Sequence, residues 1–300
     1  MKKLLAPFIF CVQTPLQIVN LALWGTLVFL FGILKFLLPF ASIRDWLLST
    51  MHTFMHCFSA ISIALIRFFN SIDIEFKINK NLSPAGWYLL IANHLSYLDI
   101  ILLIELTRKR IPPPKFFLKQ ELIWLPFVGI GAWALDMPFM KRYSRQYIDK
   151  HPEKKGQDII TTKRFCEKFK NQPTTVINFV EGTRFTKNKH RAKNSPYRRL
   201  LPPKAGGIAF TLATMGELFN HLLDVSLLYP DNEKHPMMAM LSGQMTRIIV
   251  DVNVLPIPDE IQGDYYMDDK FKSHFQNWLN ELWLEKDTRI VHLQESSLCK

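Results

Sequence analysis

The sequence predicts an α/β fold, with a mixed and mostly parallel sheet flanked by helices and an N-terminal hydrophobic helical hairpin embedded in a membrane. Two long stretches without charged side chains, Leu4–Leu34 and Trp46–Ile66, precede the rest of the chain. After Arg67, short apolar segments alternate with helical patterns, as in a sheet covered by helices. We therefore expect membrane-anchoring helices over residues 1–69 and one folded domain over residues 70–300.

The first uncharged stretch is long enough to cross a bilayer. Its more apolar part, Leu16–Leu34, has 19 residues, which span about 28 Å as a helix at ~1.5 Å per residue. A cleaved signal peptide is the alternative, because Lys2 and Lys3 precede the apolar run. The run is too long for that alternative and has no small-x-small cleavage site.

The second stretch is more polar, and its sequence fits either a membrane span or a helix lying in the interface. If both helices cross, Lys2 and the basic residues after Arg67 share the cytoplasmic side, although Lys35 and Arg44 in the connection oppose that arrangement. A hairpin that dips into one leaflet fits as well. We expect a bacterial inner-membrane location, with the folded domain facing the cytoplasm.

The body of the chain supplies candidate strands and helices in alternation. The predicted strands are short, apolar and rich in β-branched or aromatic residues: Ile72–Lys77, Trp87–Ala92, Phe116–Lys119, Thr174–Val180, Leu222–Leu228 and Arg247–Val254. The predicted helices follow helical apolar spacing: Tyr97–Arg108, Gln157–Lys170, Ile208–Phe219 and Asp268–Glu285.

The charge of the chain predicts an anionic partner. Lys and Arg number 37 against 26 Asp and Glu, a net charge of +11, which suits nucleic acid, a phosphorylated ligand or an acidic membrane. Eight cations and no acid lie between Glu181 and Glu217.

The four cysteines are scattered without zinc spacing, and the His52/His56 pair lacks a third ligand. We therefore expect no metal site and a reducing compartment.

A first polar motif follows the predicted strand Trp87–Ala92. It reads Asn93-His94-Leu95-Ser96-Tyr97-Leu98-Asp99, and its position at a strand end is where sites gather in α/β proteins. Asp99 reaches His94 only if the chain turns between them, with Ser96 as a candidate N-cap. The carboxylate would then hold one imidazole nitrogen and leave the other as a general base. Ordinary turn and cap roles are the alternative.

A second polar motif follows the predicted strand Thr174–Val180. Glu181, Gly182, Thr183 and Arg184 form a turn whose Arg can match phosphate oxygens with its planar fork. A solvated loop, or a patch that meets acidic lipid headgroups, is the alternative.

Together these motifs resemble the glycerophospholipid acyltransferases, the 1-acylglycerol-3-phosphate acyltransferase family with its HX4D motif. The resemblance rests on Asn-His-x-Ser-x-x-Asp, on Phe179–Arg184, and on Pro126-x-x-Gly129 leading to Phe139–Arg142. The run Leu201–Gly207 is similar to the lysocardiolipin acyltransferase branch. Val180 stands where many members have Pro, which leaves headgroup and acyl-chain preference open.

The resemblance implies an acyltransferase domain over residues 70–300 and assigns the site residues. His94 would deprotonate a lysophospholipid hydroxyl that attacks an acyl thioester, and Asp99 would orient His94. Glu181, with Gly182 and Thr183, would position the glycerol, and Arg184 with Arg142 and Lys119 would hold the phosphate. The donor would be acyl-CoA or acyl-carrier protein as substrate, with no cofactor.

Several functions compete within this interpretation. The leading one is acyl transfer to 1-acylglycerol-3-phosphate to give phosphatidate, and the runner-up is remodelling of other lysophospholipids. The partners would be these substrates, anionic membrane lipids and, as a candidate, acyl carrier protein. A non-enzymatic lipid-binding scaffold is the alternative from another class. We expect no nucleic-acid partner, since no motif for one accompanies the charge.

Overall fold

The computed structural model describes residues 2–140, 172–263, 265 and 268–298. It begins with two long helices, α1 (Lys2–Leu37) and α2 (Ala41–Phe69). The Phe31 ring lies 6.4 Å from that of Trp46 at one end of the pair, and Gln17 donates to the Ser62 carbonyl at 3.2 Å near the other. The helices therefore form an antiparallel hairpin, as the sequence predicts. Both are long and apolar enough to cross a membrane.

The main sheet has six strands in the order β1-β8-β7-β2-β6-β3. All neighbours are parallel except β7 and β8, so the predicted mixed and mostly parallel sheet is confirmed. The strands are β1 (Asp73–Ile78), β2 (Tyr88–Ala92), β3 (Pro114–Phe116), β6 (Thr175–Phe179), β7 (His221–Leu228) and β8 (Arg247–Leu255). A second, two-stranded sheet pairs β4 (Leu118–Lys119) with β5 (Phe139–Met140).

Helices cover both faces of the main sheet. Their bounds are α3 (Leu98–Thr107), α4 (Val128–Ala134), α5 (Lys187–Ala192), α6 (Gly206–Met215), α7 (Pro236–Leu241) and α8 (Asp269–Leu298). Along β2, Leu90 and Ala92 join a core with the hairpin, whereas Leu89 and Ile91 join a core with α6 and α8. Because strand side chains alternate between faces, the hairpin and α8 lie on opposite faces of the sheet.

The predicted elements differ most from the observed ones in two places. The predicted strand Phe116–Lys119 is divided at Phe117 between two sheets. The last helix continues to Leu298, well beyond the predicted end at Glu285. The predicted helix Gln157–Lys170 lies outside the described residues. The division into residues 1–69 and 70–300 stays a prediction.

The hairpin is attached to the rest of the protein along its whole length. Gln13 donates to the sulfur of Met240 in α7 at 3.3 Å, and Lys35, near the other end of α1, pairs with Asp136 at 2.6 Å. A Cβ atom at Gly32 would collide with Ala134, so the missing side chain lets α1 approach α4 closely. The side of the hairpin turned away from the domain exposes large apolar side chains, among them Ile18, Val19, Trp46 and Phe68.

Helix α8 is fixed to the sheet by ion pairs. Lys286 and Asp224 are fully buried, and their charged groups lie 2.7 Å apart. Arg289 bridges Asp224 of β7 and Asp251 of β8, with its Nε 3.0 Å from the Asp251 carboxylate. Burial lowers the pKa of Lys286, and the nearby Asp224 carboxylate opposes that shift. The far half of α8 is thus bound through charges as well as through the apolar side chains of Ile290 and Leu293.

Candidate active site

The two polar motifs lie side by side at one edge of the sheet. Strands β2 and β6 are parallel neighbours, with Ala92 opposite Phe179, so both end at the same edge. The chain passes from β2 into the motif containing His94 and from β6 into the motif containing Glu181. The structure therefore brings together groups that are 87 residues apart in sequence.

Asn93 anchors the start of the first motif to the neighbouring strand. Its side-chain amide donates to the Leu227 carbonyl at 3.0 Å, and its side-chain oxygen accepts the Leu227 N–H at 2.9 Å. Asn93 is buried, so this pair of bonds fixes the turn against β7.

His94 and Asp99 form a hydrogen-bonded pair. The Nδ1 atom of His94 lies 2.7 Å from Oδ2 of Asp99. The Asp99 side chain is fully buried, whereas that of His94 retains 15% of its exposure. An ionised carboxylate can only accept hydrogen bonds, so Nδ1 carries the proton and Nε2 is left with a lone pair. This is the arrangement of a general base held by an orienting carboxylate.

The turn between the two residues is closed by Asp99 itself. Its Oδ2 atom accepts the backbone N–H of Leu95 at 2.6 Å and of Ser96 at 2.9 Å. Helix α3 begins at Leu98 with Tyr97 as its N-cap, one position after the predicted cap. Ser96 still contributes, since its hydroxyl accepts the Leu98 N–H at 3.3 Å.

An aromatic ring fixes the plane of the imidazole. The His94 ring stacks on Phe179, the last residue of β6, with ring centroids 4.1 Å apart and planes 21° apart. The hydrogen bond to Asp99 and this stacking together restrict both rotations of the His94 side chain.

Tyr229 completes the set of donors around Asp99. Its hydroxyl donates to Oδ1 of Asp99, the oxygen that faces away from His94. Burial, with the Asp99 carboxylate beside it, raises the pKa of Tyr229 well above its usual value, so the phenol stays protonated and remains a donor. The sequence analysis missed Tyr229, although its position directly after the predicted strand Leu222–Leu228 places it at this edge.

Glu181 lies beneath the catalytic turn. Its carboxylate is fully buried, and it accepts the backbone N–H of Leu201 at 2.9 Å and of His94 at 3.3 Å. Burial raises the pKa of Glu181 to about 8, and the two backbone N–H groups oppose that shift. This geometry supports the backbone of His94, and the contact of Glu181 with glycerol stays a prediction.

The rest of the second motif forms the surface of the site. Gly182 has a φ of 66°, in the left-handed region that favours glycine. The Thr183 hydroxyl accepts from Lys189 at 2.7 Å. The Arg184 guanidinium stacks over the Tyr97 ring at 4.0 Å from its centroid, and no carboxylate pairs with it among the residues that the structure describes.

Of the other two predicted phosphate ligands, the structure describes only Lys119. Lys119 is exposed on β4, in the separate two-stranded sheet, and within the described ranges no hydrogen bond joins it to the site. Arg142 lies outside the described residues. In the described part of the chain, no cluster of three His, Cys, Asp or Glu side chains suits a metal ion.

Comparison with known proteins identifies the family. The family model described as "Acyltransferase" matches residues 73–225, just over half of the 300-residue chain. The chain belongs to the acyltransferase family. The family predicted from the sequence is thereby confirmed.

Named members of the family are distant relatives. The 1-acyl-sn-glycerol-3-phosphate acyltransferase delta of Homo sapiens is 26% identical over 183 residues, which cover 58% of this chain and 43% of that protein. The alpha enzyme of Homo sapiens is 25% identical over 134 residues, 45% of this chain and 41% of the relative. This family member therefore spans less than half of the length of the human relatives it matches.

A solved family structure has the same fold. The 1-acyl-sn-glycerophosphate acyltransferase PlsC of Thermotoga maritima superposes with a TM-score of 0.61 at 16% identity, over 97% of this chain and 98% of that one. The likeness extends over nearly the whole length of both acyltransferase chains and concerns the fold alone.

Tyr229 offers a test of how this acyltransferase site is held. We expect Tyr229→Phe to lower kcat about tenfold, because a hydrogen bond to a charged group contributes ~1.5–3 kcal/mol. With one donor fewer, more of the Asp99 charge faces the His94 proton, so the acidic limb of the kcat/KM profile should move to higher pH. KM values should change little.

Tyr88→Phe is the matched control for that variant. Tyr88 is also buried, but its hydroxyl bonds to Ser83 at the other end of β2. Loss of the Tyr88 hydroxyl should lower the free energy of unfolding and leave kcat and the pH profile unchanged. Equal pH profiles in the Tyr229 variant and the wild type would mean that the Tyr229 hydroxyl does not influence the Asp99–His94 pair.

Proposed function

We propose that the chain is a membrane-associated O-acyltransferase that moves a fatty acyl group from a thioester to the free hydroxyl of a lysophospholipid. The acceptor we favour is 1-acylglycerol-3-phosphate, and the product is then phosphatidate. The observation that carries the proposal is the His94–Asp99 pair. It holds a base at a sheet edge beside Arg184, with which no carboxylate of the described residues pairs.

The reaction needs one general base, which takes up a proton and gives it back, and no acyl-enzyme. His94 Nε2 takes the proton of the acceptor hydroxyl as its oxygen attacks the thioester carbonyl carbon. The tetrahedral intermediate collapses, the C–S bond breaks, and the departing thiolate takes that proton back from His94. The products are an ester and a free thiol. Asp99 stabilises the imidazolium that exists between the two transfers.

Arg184 is the proposed ligand of the acceptor phosphate. Stacking on Tyr97 holds its guanidinium in place before any ligand arrives, which lowers the entropy lost on binding. Lys189 reaches the same turn through Thr183. Glu181 acts in this proposal as a positioning residue, since it bonds the His94 backbone.

Two other functions use the same features. A phosphate monoester presents more charge to Arg184 than the diester of other lysophospholipids does, which favours phosphatidate synthesis over remodelling. A lipid-binding scaffold has no use for a general base, yet both oxygens of the Asp99 carboxylate accept hydrogen bonds that hold His94 and its turn in place.

The hairpin supports a membrane location. Because α1 contacts the domain at two well-separated positions, through Gln13 and Lys35, a placement in the plane of one leaflet accounts for these contacts better than a crossing does. Its exposed apolar side would then face the acyl chains. We retain the bacterial inner membrane and a cytoplasmic domain as part of the proposal. Flotation with phosphatidylglycerol vesicles measures the membrane association directly.

The deciding experiment is acyl transfer by purified protein in lipid or detergent. Labelled acyl-CoA and acyl-carrier protein are offered with a panel of lysophospholipids, and His94→Ala runs alongside. Transfer by the wild type and not by the variant supports the proposal, and the preferred acceptor separates synthesis from remodelling. A folded wild-type protein that acylates none of the acceptors would leave the scaffold as the better interpretation.

Arg184→Ala tests the acceptor site. We expect KM for 1-acylglycerol-3-phosphate to rise by about 10–100-fold, since a charge-assisted hydrogen bond contributes ~1.5–3 kcal/mol. KM for the thioester should stay nearly constant. Arg184→Lys keeps the charge but not the planar fork, and should recover part of the loss. Equal increases in both KM values would contradict the assignment.

A further inference from the structure

An uncharged apolar segment leaves the domain between the two strands of the small sheet. This α4 segment, residues 122–135, follows β4 and leads to β5. Near its two ends, the backbone N–H of Leu118 donates to the Pro138 carbonyl at 2.9 Å. The segment contains no charged residue, yet it is too short to cross a bilayer as a helix. Its apolar character therefore has a different cause from that of α1 and α2.

The exposed side chains of the α4 segment are all apolar. Trp124 keeps 85% of its exposure and Trp133 keeps 41%. The other exposed positions are Leu125, Pro126, Phe127 and Ile130. A protein surrounded by water seldom exposes so many neighbouring large apolar side chains, and a patch of this kind marks an interaction surface.

The α4 segment packs closely against the middle of α1. A Cβ atom at Gly25 would lie 2.8 Å from the Cβ atom of Phe127, and one at Gly32 would collide with Ala134. The buried Val28 lies between the two glycines, and this spacing of three and four residues puts all three on one side of α1. The α4 segment is thus held alongside α1 and shares the surroundings of the hairpin.

The apolar surface of the α4 segment is continuous with that of the hairpin. The Trp133 ring lies 6.3 Å from the ring of Phe36, which is exposed together with Leu37 and Phe40 where α1 turns into α2. A surface continuous with the hairpin meets the same acyl chains. Tryptophan also prefers the boundary between acyl chains and headgroups. Both points favour a lipid leaflet over a second copy of the chain as the partner of this surface.

We propose that the α4 segment is a second membrane-binding element, which enters the same leaflet as α1 and attaches the acyltransferase domain to the lipid through its own residues. This inference rests on the membrane association in the proposed function. Charged residues begin immediately outside the segment, at Glu121 and Asp136, and Asp136 is paired with Lys35. Insertion of the segment therefore puts none of its own residues into the acyl region as an unpaired charge.

Fluorescence quenching locates the segment directly. The purified full-length protein is reconstituted in vesicles of phosphatidylglycerol and of phosphatidylcholine brominated on its acyl chains, because bromine quenches the tryptophans close to it. Trp124→Phe should lower the share of the emission that is quenched, since it removes a tryptophan from the acyl region. Trp278→Phe is the matched control. Trp278 lies on α8 against Phe275, across the sheet from the hairpin, and its removal should raise the quenched share.

Partition into vesicles measures what the segment contributes to membrane binding. Trp124→Gln/Ile130→Gln changes two exposed side chains, and flotation across a titration of phosphatidylglycerol vesicles should show a partition at least about tenfold weaker than that of wild type, the effect expected when large apolar side chains stay in water. Leu284→Gln changes an exposed apolar residue of α8 and should partition like the wild type.

The outcomes separate this inference from the proposed function. Equal quenched shares in Trp124→Phe and Trp278→Phe, in a wild-type protein that floats with the vesicles, would overturn the inference alone. A glutamine variant that partitions normally but elutes in detergent as a smaller species than wild type would make the surface a contact between two copies of the chain. A wild-type protein that does not float would contradict the membrane location as well. The expected quenching without any acyl transfer would contradict the acyltransferase chemistry and leave the membrane-binding element standing.

Discussion

Replacing His94 by alanine should lower kcat for acyl transfer by about 10²–10⁴-fold, the usual contribution of one general base. The variant removes the only atom in our mechanism that takes the hydroxyl proton, whereas Asp99 keeps its bonds to Leu95, Ser96 and Tyr229. The turn should therefore keep its shape and the substrates should still bind. Initial rates at saturating donor and acceptor measure the effect.

A second histidine serves as the control for this variant. His274 is exposed on α8, and His274→Ala should retain wild-type kcat. Circular dichroism and size-exclusion profiles of both variants establish that they fold. A His94 variant that is folded and turns over at the wild-type rate would exclude His94 as the base, and the hydroxyl would then need another proton acceptor.

The strands of the main sheet were predictable because their signal is local. Short apolar runs such as Leu222–Leu228 give five of the six strands to within a residue or two at each end. The sixth, β3, overlaps the predicted strand Phe116–Lys119 only at Phe116. The order of the strands, and the antiparallel pairing of β7 with β8, depend on contacts between distant segments. No local pattern encodes those contacts, which is why the sequence left the direction of each strand open.

The candidate site also combines contacts that a local sequence pattern predicts with contacts between distant segments that it does not. His94 and Asp99 meet across a short turn. Their spacing alone left ordinary turn and cap roles as the alternative, and the second motif with the family resemblance favoured the contact. Glu181 differs, because its partners are backbone N–H groups of His94 and Leu201, and backbone donors leave no mark in a sequence. Tyr229 directly follows β7 and lies 130 residues after Asp99 in the sequence. Only the shared edge of the sheet connects it with the site.

The end of α8 shows a further limit of pattern reading. Its apolar stripe predicts a helix that stops at Glu285, yet the helix continues to Leu298. The next two turns carry Lys286 and Arg289, whose partners Asp224 and Asp251 lie in the sheet. A charge looks like a surface residue in the sequence, and only its distant partner reveals that it is buried.

α8 is also connected to the catalytic turn through the segment before α6. The Asp287 carboxylate accepts the backbone N–H of Arg198 at 2.7 Å, and the Trp283 indole donates to the Leu201 carbonyl at 3.0 Å. The Leu201 N–H in turn donates to Glu181, which accepts the N–H of His94. The helix therefore supports the site through a chain of buried hydrogen bonds.

Lys286→Met should consequently destabilise the protein by about 3–5 kcal/mol, the usual effect of removing one partner from a buried ion pair. Methionine has a similar length, so packing changes little, but Asp224 loses a charged partner while Val225 loses a donor at 2.5 Å. In detergent, the apparent Tm followed by tryptophan fluorescence should fall by on the order of 10 °C.

The matched control is Lys272→Met on the same helix, where the side chain is exposed and its nearest carboxylate lies 3.9 Å away. Surface substitutions of this kind change stability by about 0.5 kcal/mol or less. Equal melting temperatures in the two variants would mean that Arg289 alone satisfies Asp224. If instead Lys286→Met melts early but keeps wild-type kcat at low temperature, α8 stabilises the fold without tuning His94. A fall in kcat below the melting transition, with KM values unchanged, would place Lys286 among the residues that position the base.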